Sequence, residues 1–307
     1  MKEQIVFGTR GSPLAIFQTN NVIAKLNVLF PHIIYKSRII QTKGDRDQHT
    51  SLTLTEELGL FSNEIQSELL RRNIDAAVHS LKDIPVEYSE DLCLVAIPER
   101  VEAKDILYHP LGLSINELSA GSVVGTCSLR RKGQLLNLRK DLLIKDIRGN
   151  IQTRIEKLHS GEYDAIILAA AGLMRLGFEI SKYYMFDFDE ITPAPGQGAL
   201  AVETRMGDIE LIKMMTCIDN LVIRKAVEVE RSILKHIGTG CSAPIGVFAS
   251  STDEGLDVIA CYVNPITGDK KVVRQKKLKG LSSNIAEVVA YKLLSAIEGN
   301  IANSCGV

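Results

Sequence analysis

The stretch Asp75-Ala76-Ala77-Val78-His79-Ser80-Leu81-Lys82-Asp83-Ile84-Pro85 reads as a buried strand that ends abruptly in polar chemistry. Pro85 has no N–H for a sheet ladder and pushes Ile84 toward extended geometry, so the strand must stop here. Two readings of His79, Ser80, Lys82 and Asp83 follow. They form an exit turn and nothing more, or they line a ligand site, because ligands of open α/β sheets collect beyond the carboxyl ends of strands. The neighbouring segments decide between the two.

Working outward, short apolar runs alternate with helical periodicity, the pattern of α/β layers. Upstream, Gln4–Thr9 is a strand, and Ser12-Pro13 supplies an N-cap and an N1 proline for a helix with Val22, Ile23, Leu26 and Leu29 on it. Ile33–Gln41 returns as a strand, and a helix over about Ser62–Arg72 leads into the opening stretch; Leu92–Ile97 follows it. A charged crossing, Glu99–Lys104, opens a second unit with strands at Ser122–Gly125, Leu142–Ile147 and Ala165–Ala169 and helices near Arg131–Leu138 and Ile151–Leu158. Pro193-Ala194-Pro195-Gly196-Gln197-Gly198 is the strongest break, before a short strand at Ala199–Glu203. From about Asp219 a third unit has a helix (Leu221–His236), a hairpin (Gly246–Ser250 with Leu256–Asn264) and a closing helix (Asn284–Ile297). Two α/β units joined by two crossings predict a ligand cleft between lobes.

Composition narrows the ligand. At 307 residues the chain has room for two or three cores, and its net charge of -1 gives no global field for nucleic acid or an anionic membrane. Anion chemistry must then come from local clusters. The N-terminus enters a strand at once, without the pattern of a signal peptide, and no apolar run is long enough to span a bilayer. The six cysteines include no Cys-x-x-Cys pair and the six histidines are dispersed, so reduced thiols in a cytoplasmic protein are expected, and no metal site.

The clusters lie where strands end. Gly8-Thr9-Arg10-Gly11-Ser12 opens one helix and Gly125-Thr126-Cys127-Ser128-Leu129-Arg130-Arg131 opens another. Ile147-Arg148-Gly149-Asn150 is followed by Arg154, and the strand at Ala165 leads to Arg175. A lone arginine is most often an ion-paired surface residue; several at one topological place call for a ligand with several carboxylates or phosphates, which the guanidinium fork matches. Neither a Gly-x-x-x-x-Gly-Lys loop nor a Gly-x-Gly-x-x-Gly turn is present, which favours a polycarboxylate over a nucleotide. In the third unit, Gly238-Thr239-Gly240-Cys241-Ser242-Ala243-Pro244 holds a cysteine in a glycine-rich loop, open to attack or attachment.

These segments, with Thr42-Lys43-Gly44-Asp45, Ala171-Gly172-Leu173 and Pro195-Gly196-Gln197-Gly198, resemble the porphobilinogen deaminase (hydroxymethylbilane synthase) family in order and spacing over essentially the whole chain. The resemblance implies an α/β fold of two periplasmic-binding-protein-like lobes, residues 1–98 with 197–217 and residues 103–193. A small α/β domain, residues 219–307, follows. It implies head-to-tail joining of four porphobilinogen molecules into hydroxymethylbilane, with loss of ammonia, through oligopyrrole intermediates. It also implies a monomer, with a dipyrromethane cofactor joined to Cys241 by a thioether.

In that frame Asp83 matches the family's catalytic aspartate, placed to stabilise the cationic azafulvene formed as ammonia leaves. Lys82, Arg10, Arg130, Arg131, Arg148, Arg154 and Arg175 match positions that bind acetate and propionate side chains or assist elongation. Ser12, Thr126, Ser128, Gly149 and Gln197 match further binding positions, and Asp45 one near the cofactor. Alanine at Arg131 or Arg148 is expected to impair cofactor assembly or elongation more than folding. The chain departs from the family at Leu58 and Asn63, where lysine is common in a loop over the site, and slower handling of polycarboxylate chains is expected. A non-catalytic anion receptor would use the same cleft but would have no need of the Cys241 loop.

Overall fold

The computed structural model describes residues 2–42, 62–86, 89–238, 243–278 and 284–304. Asp45, Leu58 and Cys241 therefore lie outside the described residues.

The first sheet has the strand order β2-β1-β3-β10-β4. β1 (Gln4–Thr9) pairs in parallel with β2 (Ile34–Ile39) and β3 (Ala76–Ser80), while β10 (Leu200–Arg205) runs antiparallel between β3 and β4 (Leu92–Ala96). Ile5, Phe7, Val78, Val202 and Val22 and Leu26 of α1 (Pro13–Leu29) form its core. Full burial of one such side chain is worth about 1.5–3 kcal/mol. α2 (Asn63–Leu70) covers the other face with Ile65 and Leu69.

The second sheet repeats this plan in the order β7-β6-β8-β5-β9. β6 (Val123–Gly125) is parallel to β7 (Leu143–Lys145) and β8 (Ala165–Ala169), and β5 (Asp105–Tyr108) runs antiparallel between β8 and β9 (Tyr184–Met185). α3 (Leu129–Leu138), α4 (Ile151–His159) and α5 (Ala170–Arg175) complete this lobe. In each sheet the antiparallel strand next to the parallel set follows a crossing.

The two crossings pair with each other. Leu200 N donates to Glu99 O at 3.0 Å and Val101 N to Gly198 O at 3.2 Å, with Arg100 opposite Ala199. Gly198 is required there: its φ is +86°, and a Cβ would stand 2.7 Å from Val101 O. A buried ion pair ties this ribbon to the third unit. Arg100 donates to Glu230 at 2.7 Å, and Glu230 also accepts from Gly196 N at 2.6 Å and Ala249 N at 2.7 Å.

The third unit differs from the sequence expectation. After α6 (Ile209–Thr216), α7 (Leu221–Ile237) and α8 (Ile285–Ser304) pack on a three-stranded antiparallel sheet, β11 (Ile245–Thr252), β12 (Gly255–Val263) and β13 (Lys270–Leu278). The expected hairpin lacks β13, whose run Lys270-Lys271-Val272-Val273-Arg274-Gln275 hides its alternation under long basic side chains. β5 and β9 were likewise absent from the sequence reading. At four and two residues they are too short to show a period. No helix among the described residues is long and apolar enough to cross a membrane.

Candidate active site

The carboxyl ends of the parallel strands in both lobes converge on one cleft. In the first lobe, β1 runs out at Arg10 and Ser12 caps α1, its Oγ accepting from Ala15 N at 3.3 Å. β3 runs out into a 3-10 turn, Leu81–Asp83. A cavity of about 60 Å³ between them is lined by Arg10, Ser12, Gln18, Ser62, His79 and Asp83, among others.

The polar residues of the opening stretch now separate. His79 Nε2 lies 3.2 Å from the buried Glu203 carboxylate, whose other oxygen accepts from Gln66 Nε2 at 2.8 Å. Ser80 Oγ accepts from Gln18 Nε2 at 2.9 Å. Both line the cavity wall with their polar atoms turned to partners within the lobe. Lys82 and Asp83 stand beyond them on the turn, Asp83 exposed to the cleft.

In the second lobe the strand-end arginines fall into three groups. Arg130 and Arg131, in the first turn of α3, are buried against Asp105 of β5. Arg130 Nη1 lies 2.8 Å from Asp105 Oδ2 and donates to Thr192 O at 2.7 Å. Arg131 reaches Asp105 Oδ1 through Nη2 at 2.7 Å and Nε at 3.2 Å, and Ile167 O through Nη1 at 3.2 Å. Burial alone would raise the Asp105 pKa, but Arg130 and Arg131 overcome it and hold the carboxyl well below the usual range. Ser128 Oγ caps α3, accepting from Arg131 N at 3.4 Å, and buried Thr126 Oγ1 accepts from Ser128 N at 3.2 Å.

Arg148 and Arg154 form the second group, at the cleft. Arg154 Nε donates to Gly149 O at 2.8 Å, a carbonyl presented by a glycine at φ +114°. Asn150 Oδ1 caps α4 on Thr153 N at 3.0 Å. The Arg154 pKa is lowered, first by burial; Arg131 and Arg148 lower it further and Asp83 opposes them. Asp83 of one lobe thus faces cations of the other.

Arg175 stands apart from the other arginines. Its Nη2 donates to Gly198 O at 2.8 Å and Glu99 at 3.2 Å, both on the hinge ribbon.

Gln197 joins the lobes. Its Nε2 donates to Ala103 O at 2.6 Å and Asp105 Oδ1 at 2.9 Å, and its Oε1 accepts from Lys82 Nζ at 3.3 Å. Lys82 is pushed down to about 8, by burial first and then by Arg131, against the opposing pull of Asp83 and Asp105. Burial is the main cause, so the Lys82 ammonium sits in a site that hydrates its charge poorly, beside Arg131 and Arg130. A carboxylate entering the cleft would give that buried ammonium a counter-charge, so the donor set fits a polycarboxylate pyrrole.

The sequence reading missed Asp105, the acid that makes two adjacent buried arginines tolerable. Its signal was faint: one acid between Ala103 and Ile106-Leu107, directly after a charged crossing. Among the described residues, Cys93, Cys127, Cys217 and Cys261 are free thiols and no cluster could hold a metal ion.

A family model described as "Porphobilinogen deaminase, dipyromethane cofactor binding domain" matches residues 5–213, and "Porphobilinogen deaminase, C-terminal domain" matches residues 224–298. The porphobilinogen deaminase of Limosilactobacillus reuteri (strain DSM 20016) is 40% identical over 297 residues, 96% of this chain and 97% of that one. The enzyme of Shouchella clausii is 39% identical over 300 residues (97% and 96%), and that of Thermus thermophilus 42% identical over 251 residues (82% of each). Among solved structures, the methionine-binding protein MetQ aligns with 70% of this chain and 89% of its own at a TM-score of 0.46 and 14% identity. The fold rests on the strand orders above, not on that likeness. The matched regions hold both sheets, the arginine clusters and the third unit, and the chain belongs to the porphobilinogen deaminase family, enzymes of tetrapyrrole biosynthesis with a dipyrromethane cofactor.

Proposed function

We propose that this chain joins four porphobilinogen molecules head to tail into hydroxymethylbilane, one ammonia leaving for each, with Asp83 as the catalytic carboxylate and Cys241 as the attachment point of the dipyrromethane. The observation that carries the reading is Asp83 exposed on its turn beside Lys82, lining a cavity with Arg10 and Ser12 and within electrostatic reach of Arg154 of the other lobe. The proposed division is residues 1–98 with 197–217 and residues 103–193 as lobes, and 219–307 as the attachment domain. The reading carries with it a cytoplasmic monomer that holds oligopyrrole intermediates.

Arg10, Ser12, Lys82, Arg148 and Arg154 are assigned to acetate and propionate groups. Gly149 fixes Arg154, and Thr126 and Ser128 shape the loop that starts α3. Arg130 and Arg131 form the wall behind them, with N–H donors left over for a carboxylate. Gln197 sets the height of Lys82 relative to that wall. Arg175 acts through the hinge. When bound, the cofactor supplies a pyrrole carbon as the nucleophile that starts the chain. Asp83 can accept a hydrogen bond from a pyrrole N–H, oppose the positive charge that develops as ammonia departs, and hold a proton on its carboxylate. Cations in the same cleft fix the ring by its side chains.

The direct test is the intact mass of the purified protein beside its Cys241→Ser variant. A surplus of two linked pyrrole units on the parent alone is expected. An unmodified parent, still unmodified after incubation with porphobilinogen, would overturn the reading. The depressed Lys82 gives a pH test. As pH rises through about 8, Lys82 loses its charge and the free enzyme loses a carboxylate ligand. The value of kcat/KM should fall along an alkaline limb there, and Lys82→Arg should abolish that limb because a guanidinium stays charged. An unchanged limb in Lys82→Arg would assign it to another group.

A further inference from the structure

We infer that Arg231, on the face of α7 turned to the first lobe, is a positioning residue that sets the catalytic turn against the attachment domain. The inference rests on the assignment of Asp83 and Cys241 above. Immediately after Asp83 the backbone leaves β3 with few anchors. Ile84 N is spent on Leu81 O at 3.2 Å, and Pro85 has no N–H. The carbonyls that follow are both taken by one side chain: Arg231 Nη1 donates to Ile84 O at 2.9 Å and Nη2 to Pro85 O at 2.7 Å. Two consecutive carbonyls need two donors at fixed spacing, which the guanidinium fork supplies and a lysine does not.

Packing does not replace these bonds. Leu81 and Ile84 are fully buried against Val227, one turn before Arg231 on the same helix. Beside that contact, however, a cavity of about 260 Å³ opens among Leu81, Val86, Leu94, Ile97, Val227 and Arg231. On this side the turn rests on the fork and on the apolar cluster of Leu81, Ile84, Ile97, Ala199, Ala201 and Val227, which satisfies neither carbonyl. The same helix ends seven residues later at Gly238, in the left-handed conformation, about 10 Å along its axis. Cys241 lies three residues beyond. Arg231 therefore ties the backbone that carries Asp83 to one helix, whose C-cap Gly238 precedes the attachment cysteine by three residues in the sequence.

Displacement of a catalytic group by about 1 Å can cost about 10²-fold. Arg231→Gln should lower kcat by about 10- to 100-fold with KM changed less than about threefold, and Arg231→Lys should fall between it and the parent. Intact mass should show the cofactor on both variants, and amide exchange should quicken in the peptide holding Leu81–Asp83 and not elsewhere in the first lobe. Glu228→Gln, on the same helix without contact to the turn, should match the parent. A parent kcat per folded, cofactor-bearing molecule in Arg231→Gln and Arg231→Lys would overturn the inference. So would unchanged exchange in that peptide. A parent protein without cofactor or turnover would instead overturn the functional reading beneath it.

Discussion

Asp83→Ala is expected to lower the rate of bilane formation by about 10²- to 10⁴-fold while the protein still folds and still carries its cofactor. The carboxylate is exposed at the cleft on a 3-10 turn held by its neighbours: Leu81 N bonds to Ala199 O at 3.0 Å, and Arg231 grips the carbonyls of Ile84 and Pro85. Removing the side chain therefore costs the chemistry a negative charge and the fold almost nothing. Asp83→Asn should be nearly as poor, since an amide neither opposes a developing cation nor takes a proton. The checks are steady-state turnover with porphobilinogen and a thermal melt. Near-parent turnover in a folded Asp83→Ala protein would remove Asp83 from the reaction.

Asp105→Ala should do the opposite and strike the fold first. One fully buried carboxylate serves Arg130, Arg131 and Gln197. Its loss leaves two buried guanidinium groups without a counter-charge, a change of the kind that costs about 3–5 kcal/mol. Asp105→Asn, which keeps the volume and loses the charge, should be destabilised almost as much. The midpoint of urea unfolding measures this, and a midpoint equal to the parent's in both variants would sink the argument. Asp105 also helps hold the Lys82 pKa up, so in any folded fraction the alkaline limb of kcat/KM should move to lower pH.

This geometry argues against one expectation from the sequence, that Arg131→Ala would impair cofactor assembly or elongation more than folding. Arg131 satisfies Asp105 twice and Ile167 O once, so its removal exposes the same buried imbalance from the other side. Arg148, at the cleft, keeps the original expectation of a functional defect in a folded protein.

Much of the framework was legible without coordinates because it depends on local rules. Ser12-Pro13 announced α1 by cap and proline chemistry, and the structure places the cap on Ala15 N. The Ala165–Ala169 run was strand from end to end. Pro85 marked the stop of β3, which ends at Ser80 with the turn just after it. The glycines of the Pro195–Gly198 segment marked a tight path, and Gly198 holds φ +86° against the Val101 carbonyl. Strand ends rich in Arg and Ser pointed to an anion cleft, since helix starts and guanidinium forks bind anions wherever they occur.

The sequence by itself determined the alternation of strand and helix, the family, and the set of residues from which the site is drawn. Each of these follows from neighbours along the chain or from the spacing of motifs. Only the tertiary structure decided which basic residues are available to a ligand. Arg130 and Arg131 are spent largely on Asp105, Arg175 on the hinge and Arg231 on the catalytic turn, while Lys82 shares the turn of Asp83 and Arg154 of the other lobe lies within its electrostatic reach. The physical reason is that a charge is assigned by its partner. Asp105 lies 26 residues from Arg131, and Ile84 lies 147 residues from Arg231. No local pattern connects such pairs until the sheets and the third unit close upon one another.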